Sequence, residues 1–88
     1  MRRKVSFVWK TIDGSWVWRA SHYEGNGIFY GKVTSPYVPH GEYGTWYVHE
    51  LMSNPSVRLI SGGADKLKKI LDTKQTKDAI KFQQMMRG

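Results

Sequence analysis

The side chains able to move a proton near neutral pH are few: His22, His40 and His49, each with a glutamate one or two positions away in Glu24, Glu42 or Glu50. In an extended strand residues two apart share a face, so His22 with Glu24 can form an acid–base pair, and His40 with Glu42 has the same spacing. Histidines in a β-rich chain more commonly serve as surface or hydrogen-bonded structural residues, and that role is expected for all three. His49-Glu50 begins like the zinc-protease helix motif, but no histidine follows at the required spacing. A serine-hydrolase elbow, a P-loop and a dinucleotide-binding glycine pattern are all missing from the sequence. With no cysteine, disulfides, thiolate catalysis and cysteine-based metal sites are excluded. The expectation is a protein that is not an enzyme and carries neither cofactor nor metal.

Binding chemistry is better represented. Lys10, Arg19, Tyr23, Tyr30 and Lys32 are expected on one sheet face, beside a flexible basic arm of Arg2, Arg3 and Lys4. Cations interleaved with tyrosines suit phosphate contacts plus base stacking, each stack contributing ~1–3 kcal/mol in single-strand binders. A solvated sheet face with cross-strand tyrosine pairs is the plainer account of the same residues. A second surface is the loop Thr34–Gly44, where Tyr37, His40, Glu42 and Tyr43 can either dock on a protein or fold back over the core edge. The net charge of +7 favours anionic partners, and it is uneven: residues 1–20 and 61–88 each carry +4, whereas residues 21–60 carry −1. The two basic ends make one anion-binding patch only if the fold brings them to the same side. Lys66, Lys69, Lys77 and Lys81 are equally an ordinary solvated helix surface.

The elements that must position these residues divide sharply along the chain. Eleven of the twelve aromatics precede residue 48, which points to sheet in the first half. Asp13-Gly14 and Asn26-Gly27 read as type I′ hairpin turns. Centring the first turn pairs Phe7 with Ala20 and Trp9 with Trp18; centring the second pairs Tyr23 with Tyr30 and Ala20 with Val33. Val5, Phe7, Trp9, Trp16, Trp18, Ala20, Phe29, Gly31 and Val33 then share one apolar face. Strands are expected at about 4–12, 15–23 and 28–34, with a short fourth strand from Thr45 to His49 after the proline-containing loop. Residues 52–63 read as a connecting turn. Beyond them, Leu67, Ile70 and Leu71, then Ala79, Phe82 and Met86, mark helices at about 64–72 and 77–86, with Thr76 as a candidate N-cap. One bent helix is the alternative.

The expected fold class is therefore α+β, an antiparallel meander of three to four strands whose aromatic face is covered by one or two C-terminal helices. All 88 residues form a single domain in this reading: arm 1–4, sheet 5–51, turn 52–63 and helices 64–88. No apolar run approaches the ~18 residues of a membrane span, and Arg2-Arg3-Lys4 leads into no signal-like segment, so a soluble intracellular protein without membrane contact is expected.

Gly14-x-Trp16-x-Trp18, Phe29-Tyr30-Gly31-x-Val33, Gly41-Glu42-Tyr43-Gly44 and Glu50-Leu51 together resemble a family of small proteins encoded by phages and plasmids. The match covers less than half the chain, and its motifs are structural. Because no activity is assigned to that family, the resemblance implies a mobile-element origin and residence in a host cytoplasm, with nothing catalytic. Gly14-Ser-Trp16-Val-Trp18-Arg19 is also similar to the second strand of arm-type DNA-binding domains of phage integrases. The leading expectation is a nucleic-acid binder, DNA ahead of RNA, using Arg2, Arg3, Lys4, Lys10, Arg19, Tyr23, Tyr30 and Lys32. The alternative is a phage-type inhibitor, such as an anti-CRISPR or other anti-defence or host-takeover factor, docking on a host protein through Tyr37, His40, Glu42 and Tyr43.

Overall fold

The computed structural model describes residues 2–86; Met1, Arg87 and Gly88, the outermost residues of the expected arm and helices, lie outside the described residues. Strands β1 (Arg3–Thr11), β2 (Val17–Gly25) and β3 (Ile28–Thr34) form the anticipated antiparallel meander. It is extended on both sides, by β4 (Glu42–Tyr47) next to β3 and by β5 (Val57–Ser61) next to β1, giving the order β4-β3-β2-β1-β5. Helix α1 (Val48–Met52) links β4 to β5, and α2 (Ala64–Leu71) and α3 (Lys74–Met86) follow. The fold is α+β, with five strands rather than three or four.

Around the first turn the register agrees with the sequence: Phe7 faces Ala20 and Trp9 faces Trp18. The turn itself differs. Gly14 has φ +77° while Asp13 is not in the left-handed region, so this is not a type I′ turn but a wider loop closed by the Thr11 N–H donating to the Trp16 carbonyl at 3.0 Å. Its organiser is the Asp13 carboxylate, whose Oδ1 accepts from the Ser15 N–H (3.0 Å), the Ser15 hydroxyl (2.7 Å) and the Thr11 hydroxyl (2.8 Å). These bonds, led by the Ser15 backbone N–H, stabilise the charged form and lower the Asp13 pKa to about 2.

The second turn keeps its expected geometry, with Asn26 and Gly27 at φ +58° and +80°. The pairing beyond it does not. Bulges between Ala20 and His22 and between Tyr23 and Gly25 put extra residues on β2, so Tyr23 faces Phe29 and Ala20 faces Gly31. Gly31 makes the close approach possible, because a β-carbon there would stand 1.9 Å from the Arg19 carbonyl oxygen. The consequence is a change of face for Tyr23. Expected on the open side, it is buried in the core, its ring 4.9 Å from that of Phe29. Its hydroxyl accepts from the Gly27 N–H and shares a hydrogen bond with the Thr76 hydroxyl, both at 3.0 Å, joining the second hairpin to α3.

Trp9, Phe29 and Val48 are the most completely enclosed side chains of a core that also takes in Phe7, Leu51, Val57, Leu67 and Leu71. Trp9 meets Phe29 and Trp46 edge to face, with centroids 5.3 and 6.2 Å apart. Trp16 is less buried than its apolar-face assignment implied: it is about one-third exposed and stacks on Trp18. The fourth strand runs from Glu42 to Tyr47 instead of Thr45 to His49. At Val48, whose N–H donates to the Gly27 carbonyl at 2.9 Å, the chain turns into α1, and this buries both Val48 and His49. Within the segment expected as a turn, β5 directs Val57 and Leu59 toward the core and leaves Arg58 and Ile60 exposed.

Two helices, not one, follow. Thr73 rather than Thr76 caps α3, accepting at its hydroxyl from the Thr76 N–H at 3.1 Å. Thr76 is buried one turn further on. The face that α3 turns inward carries Thr76 and Ile80, whereas Phe82 and Met86, expected as its apolar stripe, are 63% and 73% exposed.

Candidate nucleic-acid interface

Residues opposite one another on neighbouring strands share a face, which defines the surface left uncovered by the helices. One row across that outer face reads Val8, Arg19, Lys32, Tyr43 from β1 to β4. The next reads Lys4, His22, Tyr30, Thr45, and a third carries Arg58, Lys10 and Val17 from β5 to β2. Lys10, Arg19, Tyr30 and Lys32 thus lie on one face as expected, joined by Lys4 from the start of β1. Tyr23 does not belong to it, for the reason given above. Arg3, opposite Tyr23, is turned to the other side of the sheet.

The supposed flexible arm is not an arm. Arg3 and Lys4 are strand residues, and the Arg2 guanidinium is held 2.8 Å from the Glu24 carboxylate and 4.4 Å from the centre of the Tyr30 ring. Tyr30 in turn lies nearly parallel to Tyr43, at 5.9 Å and 20°, and tilts against His22 at 6.1 Å. Tyr43, assigned from the sequence to the loop, is therefore part of this surface, and with 67% of it exposed its ring is open to a further planar group.

Two cations, Arg19 and Lys32, stand directly opposite each other on neighbouring strands, and Lys10 and Arg58 do the same. Like charges so placed destabilise a sheet. Neither of the ion pairs Arg2–Glu24 and Lys77–Asp72 relieves them. Lys32 is further constrained by Gly41, where a β-carbon would stand 2.3 Å from Lys32 Cε, so the lysine stem lies across the loop backbone. Arg58 was not anticipated. It lies within the segment read as a turn, and the signal that could have found it is the short alternation Val57-Arg58-Leu59.

The loop before β4 is stapled at its base by Ser35, whose hydroxyl accepts from the N–H groups of Tyr37 (3.1 Å) and Val38 (3.3 Å). Tyr37 projects from it 86% exposed, so it does not close the core edge. His40 is exposed in the same loop, and Glu42 begins β4 opposite Val33, on the face away from Tyr43.

The three histidines are not brought together. His22 is on the outer face, within hydrogen-bonding distance (3.0 Å) of the Ser21 hydroxyl. His49 lines an apolar groove of about 920 Å³ on the other side, with Trp9, Leu51, Val57, Leu67 and Ile80, and both its ring nitrogens are buried without a partner among the described residues. No group of three or more potential metal ligands occurs among the described residues, and no helix there is long and apolar enough to cross a membrane.

The basic ends of the chain meet in part. Arg3 and Lys4 of β1 and Lys66 and Lys69 of α2 line one groove of about 680 Å³ together with Ser6 and Gly62, whereas Lys68 and Lys77 line the apolar groove beside His49. No family model, no curated protein and no solved structure matches the chain.

Proposed function

We propose that the protein is a non-enzymatic binder of single-stranded nucleic acid, of mobile-element type, and that the strand lies across the outer face of the sheet. The observation that supports this most is the cation pair Arg19–Lys32 beside the Tyr30–Tyr43 stack, whose outer ring, Tyr43, is exposed. Phosphates relieve the repulsion between paired cations, and an unstacked base adds to the open Tyr43 ring. A duplex offers no such base, which favours single strands. Titrating a labelled oligonucleotide at roughly 50 mM salt should give saturable binding that weakens steeply toward 200 mM. Arg19→Ala with Lys32→Ala should weaken it further without unfolding the domain. No binding at the lower salt sinks the proposal.

A second reading has one observation of its own: Tyr37, 86% exposed on a loop fastened by Ser35, is the kind of anchor that seats in a partner protein. In that case the protein is an inhibitor of a host protein. A stoichiometric, nuclease-resistant complex abolished by Tyr37→Ala favours this reading; a complex indifferent to Tyr37→Ala speaks against it.

A further inference from the structure

The groove lined by Arg3, Lys4, Lys66 and Lys69 is separate from the stacked tyrosines, yet continuous with their row. Lys4 belongs to both, being opposite His22 in the row Lys4–His22–Tyr30–Thr45 and also at the groove wall. Four cations from positions more than sixty residues apart in sequence converge there, and no carboxylate is among the lining residues. Lys66 and Lys69 are three residues apart on α2, a spacing that sets like charges side by side on a helix. The convergence depends on the chain leaving β5 at Ser61: β5 pairs only with Val8–Thr11, so β1 from Arg3 to Phe7 has no strand on that side. Gly62 crosses so close beneath it that a β-carbon would stand 2.4 Å from both the Ser6 carbonyl oxygen and the Phe7 ring. This close approach brings the chain alongside the open edge two residues before α2 begins, and Ser6, Ser61 and Gly62 line the groove together with the four cations.

From these observations, and resting on the nucleic-acid reading above, we infer that the groove seats successive phosphates of the bound strand, which runs from Tyr43 along the Tyr30 row and turns over the β1 edge at Lys4. The path crosses four strands in order, β4 to β1, a span of about 14 Å at roughly 4.8 Å per strand step, before entering the groove. Short oligonucleotides occupy the sheet face alone; longer ones engage Lys66 and Lys69 as well.

Two measurements test this. In the first, sodium tripolyphosphate is titrated into isotope-labelled protein and followed by NMR. The expected result is saturable shifts confined to the amides of residues 3–6 and 61–70, abolished by Lys66→Gln with Lys69→Gln. Both lysines are exposed and the substitutions leave Leu67 and Leu71 in the core, so the fold is retained. In the second, oligothymidylates of about 4 to 16 nucleotides, the range of single sheet-based binders, are bound to the wild type and to the double variant. Each lost phosphate contact lowers the salt slope by about 0.7 for single strands, so the double variant should show a fall in affinity between 50 and 200 mM salt about sevenfold smaller than the wild type for the long oligomers, and no difference for the short ones. Unsaturable shifts spread over Lys74, Lys77 and Lys81 overturn the inference, as does a double variant that binds long oligomers like the wild type while Arg19→Ala with Lys32→Ala still weakens them. Saturable tripolyphosphate binding in the groove with no oligonucleotide binding at any length leaves a phosphate site standing and removes the nucleic-acid reading beneath it.

Discussion

If Arg19 and Lys32 are charged against each other for the sake of an anionic partner, reversing one of them should make the free protein more stable while making it a worse binder. Directly opposed side chains have β-carbons roughly 4.5–5.5 Å apart, and for a charge separation of about 6 Å the repulsion is about 0.7 kcal/mol in water, an upper figure because the Lys32 stem leans over Gly41. With a Debye length of ~8 Å at physiological salt, roughly half of this survives, about 0.3 kcal/mol. Lys32→Met removes the repulsion while keeping an aliphatic stem over Gly41; Lys32→Glu replaces it with an attraction of similar size, for a total of about 0.7 kcal/mol. In a domain of this length 1 kcal/mol corresponds to about 4–8 °C in Tm, so Lys32→Glu should melt about 3–6 °C higher and Lys32→Met about half as much. At 1 M salt, where the Debye length is ~3 Å, the gains should shrink to about 1 °C for Lys32→Glu and about 0.5 °C for Lys32→Met. Thermal melts at three salt concentrations, run alongside oligonucleotide titrations, measure both sides of the trade. If Lys32→Glu is neutral or destabilising at low salt and Lys32→Met behaves the same way, the face stores no repulsion and the case for an anionic partner loses its main physical support.

Other consequences can be checked separately. Tyr23→Phe deprives the buried Thr76 hydroxyl and the Gly27 N–H of a partner, and should destabilise the fold by about 1–3 kcal/mol in denaturant melts with no change in the outer face; a loss under ~0.5 kcal/mol would mean that other groups already satisfy both. Tyr43→Ala should weaken single-strand binding by about 5- to 150-fold, the equivalent of one base stack of ~1–3 kcal/mol, and leave duplex binding unaltered. The depressed pKa of Asp13 makes its contribution to the first turn complete above the ordinary carboxylate pKa near 3.8 and progressively lost as pH falls through about 2. The Ser15 amide resonance should therefore titrate with a midpoint near 2, and a midpoint near 4 would contradict the hydrogen-bond assignment. Gly62→Ala should destabilise the protein, because its β-carbon meets the Ser6 carbonyl and Phe7 from a backbone at φ +104°, and normal melting of that variant would show that α2 is not held by this contact.

Alternation and turn dipeptides placed Phe7, Trp9 and Ala20 correctly because each is counted from the first turn with no slip between. Phe29 reaches the core face because the two bulges move the partner of Ala20 by two residues, from Val33 to Gly31, which preserves the face. Tyr23 failed the same count. The bulges on β2 are accommodated by the positive φ of Gly25 and the missing β-carbon of Gly31, neither of which alters a period-2 pattern of residue types in a way that can be read in advance. β5 leaves little trace in the sequence since the residues between Pro55 and Gly62 are too few for a periodic signal to stand out, and the alternation Val57-Arg58-Leu59 is broken by the apolar Ile60. In α3 the spacing of Ala79, Phe82 and Met86 suggests the buried side, but the helix turns inward Thr76, bonded to the Tyr23 hydroxyl, and Ile80, packed on the core, which leaves Phe82 outward. The outer face was legible for Lys10, Arg19, Tyr30 and Lys32. Its extension to Tyr43 depended on where β4 begins, and the meeting of Arg3 and Lys4 with Lys66 and Lys69 depended on a long-range packing that charge counts along the chain cannot express.

The Tyr23 hydroxyl has a consequence for the time scale on which the molecule opens. Because the Gly27 N–H is held by a side chain that is itself tied to α3, exchange of that single amide proton with solvent requires Tyr23 to leave its place, and undocking of α3 removes one of the two bonds that keep it there. Gly27 therefore acts as a built-in reporter: its protection factor in deuterated water follows the detachment of a helix fifty residues away in sequence, and a variant such as Thr76→Val should raise its exchange rate while leaving the amides between β1 and β2 as slow as before.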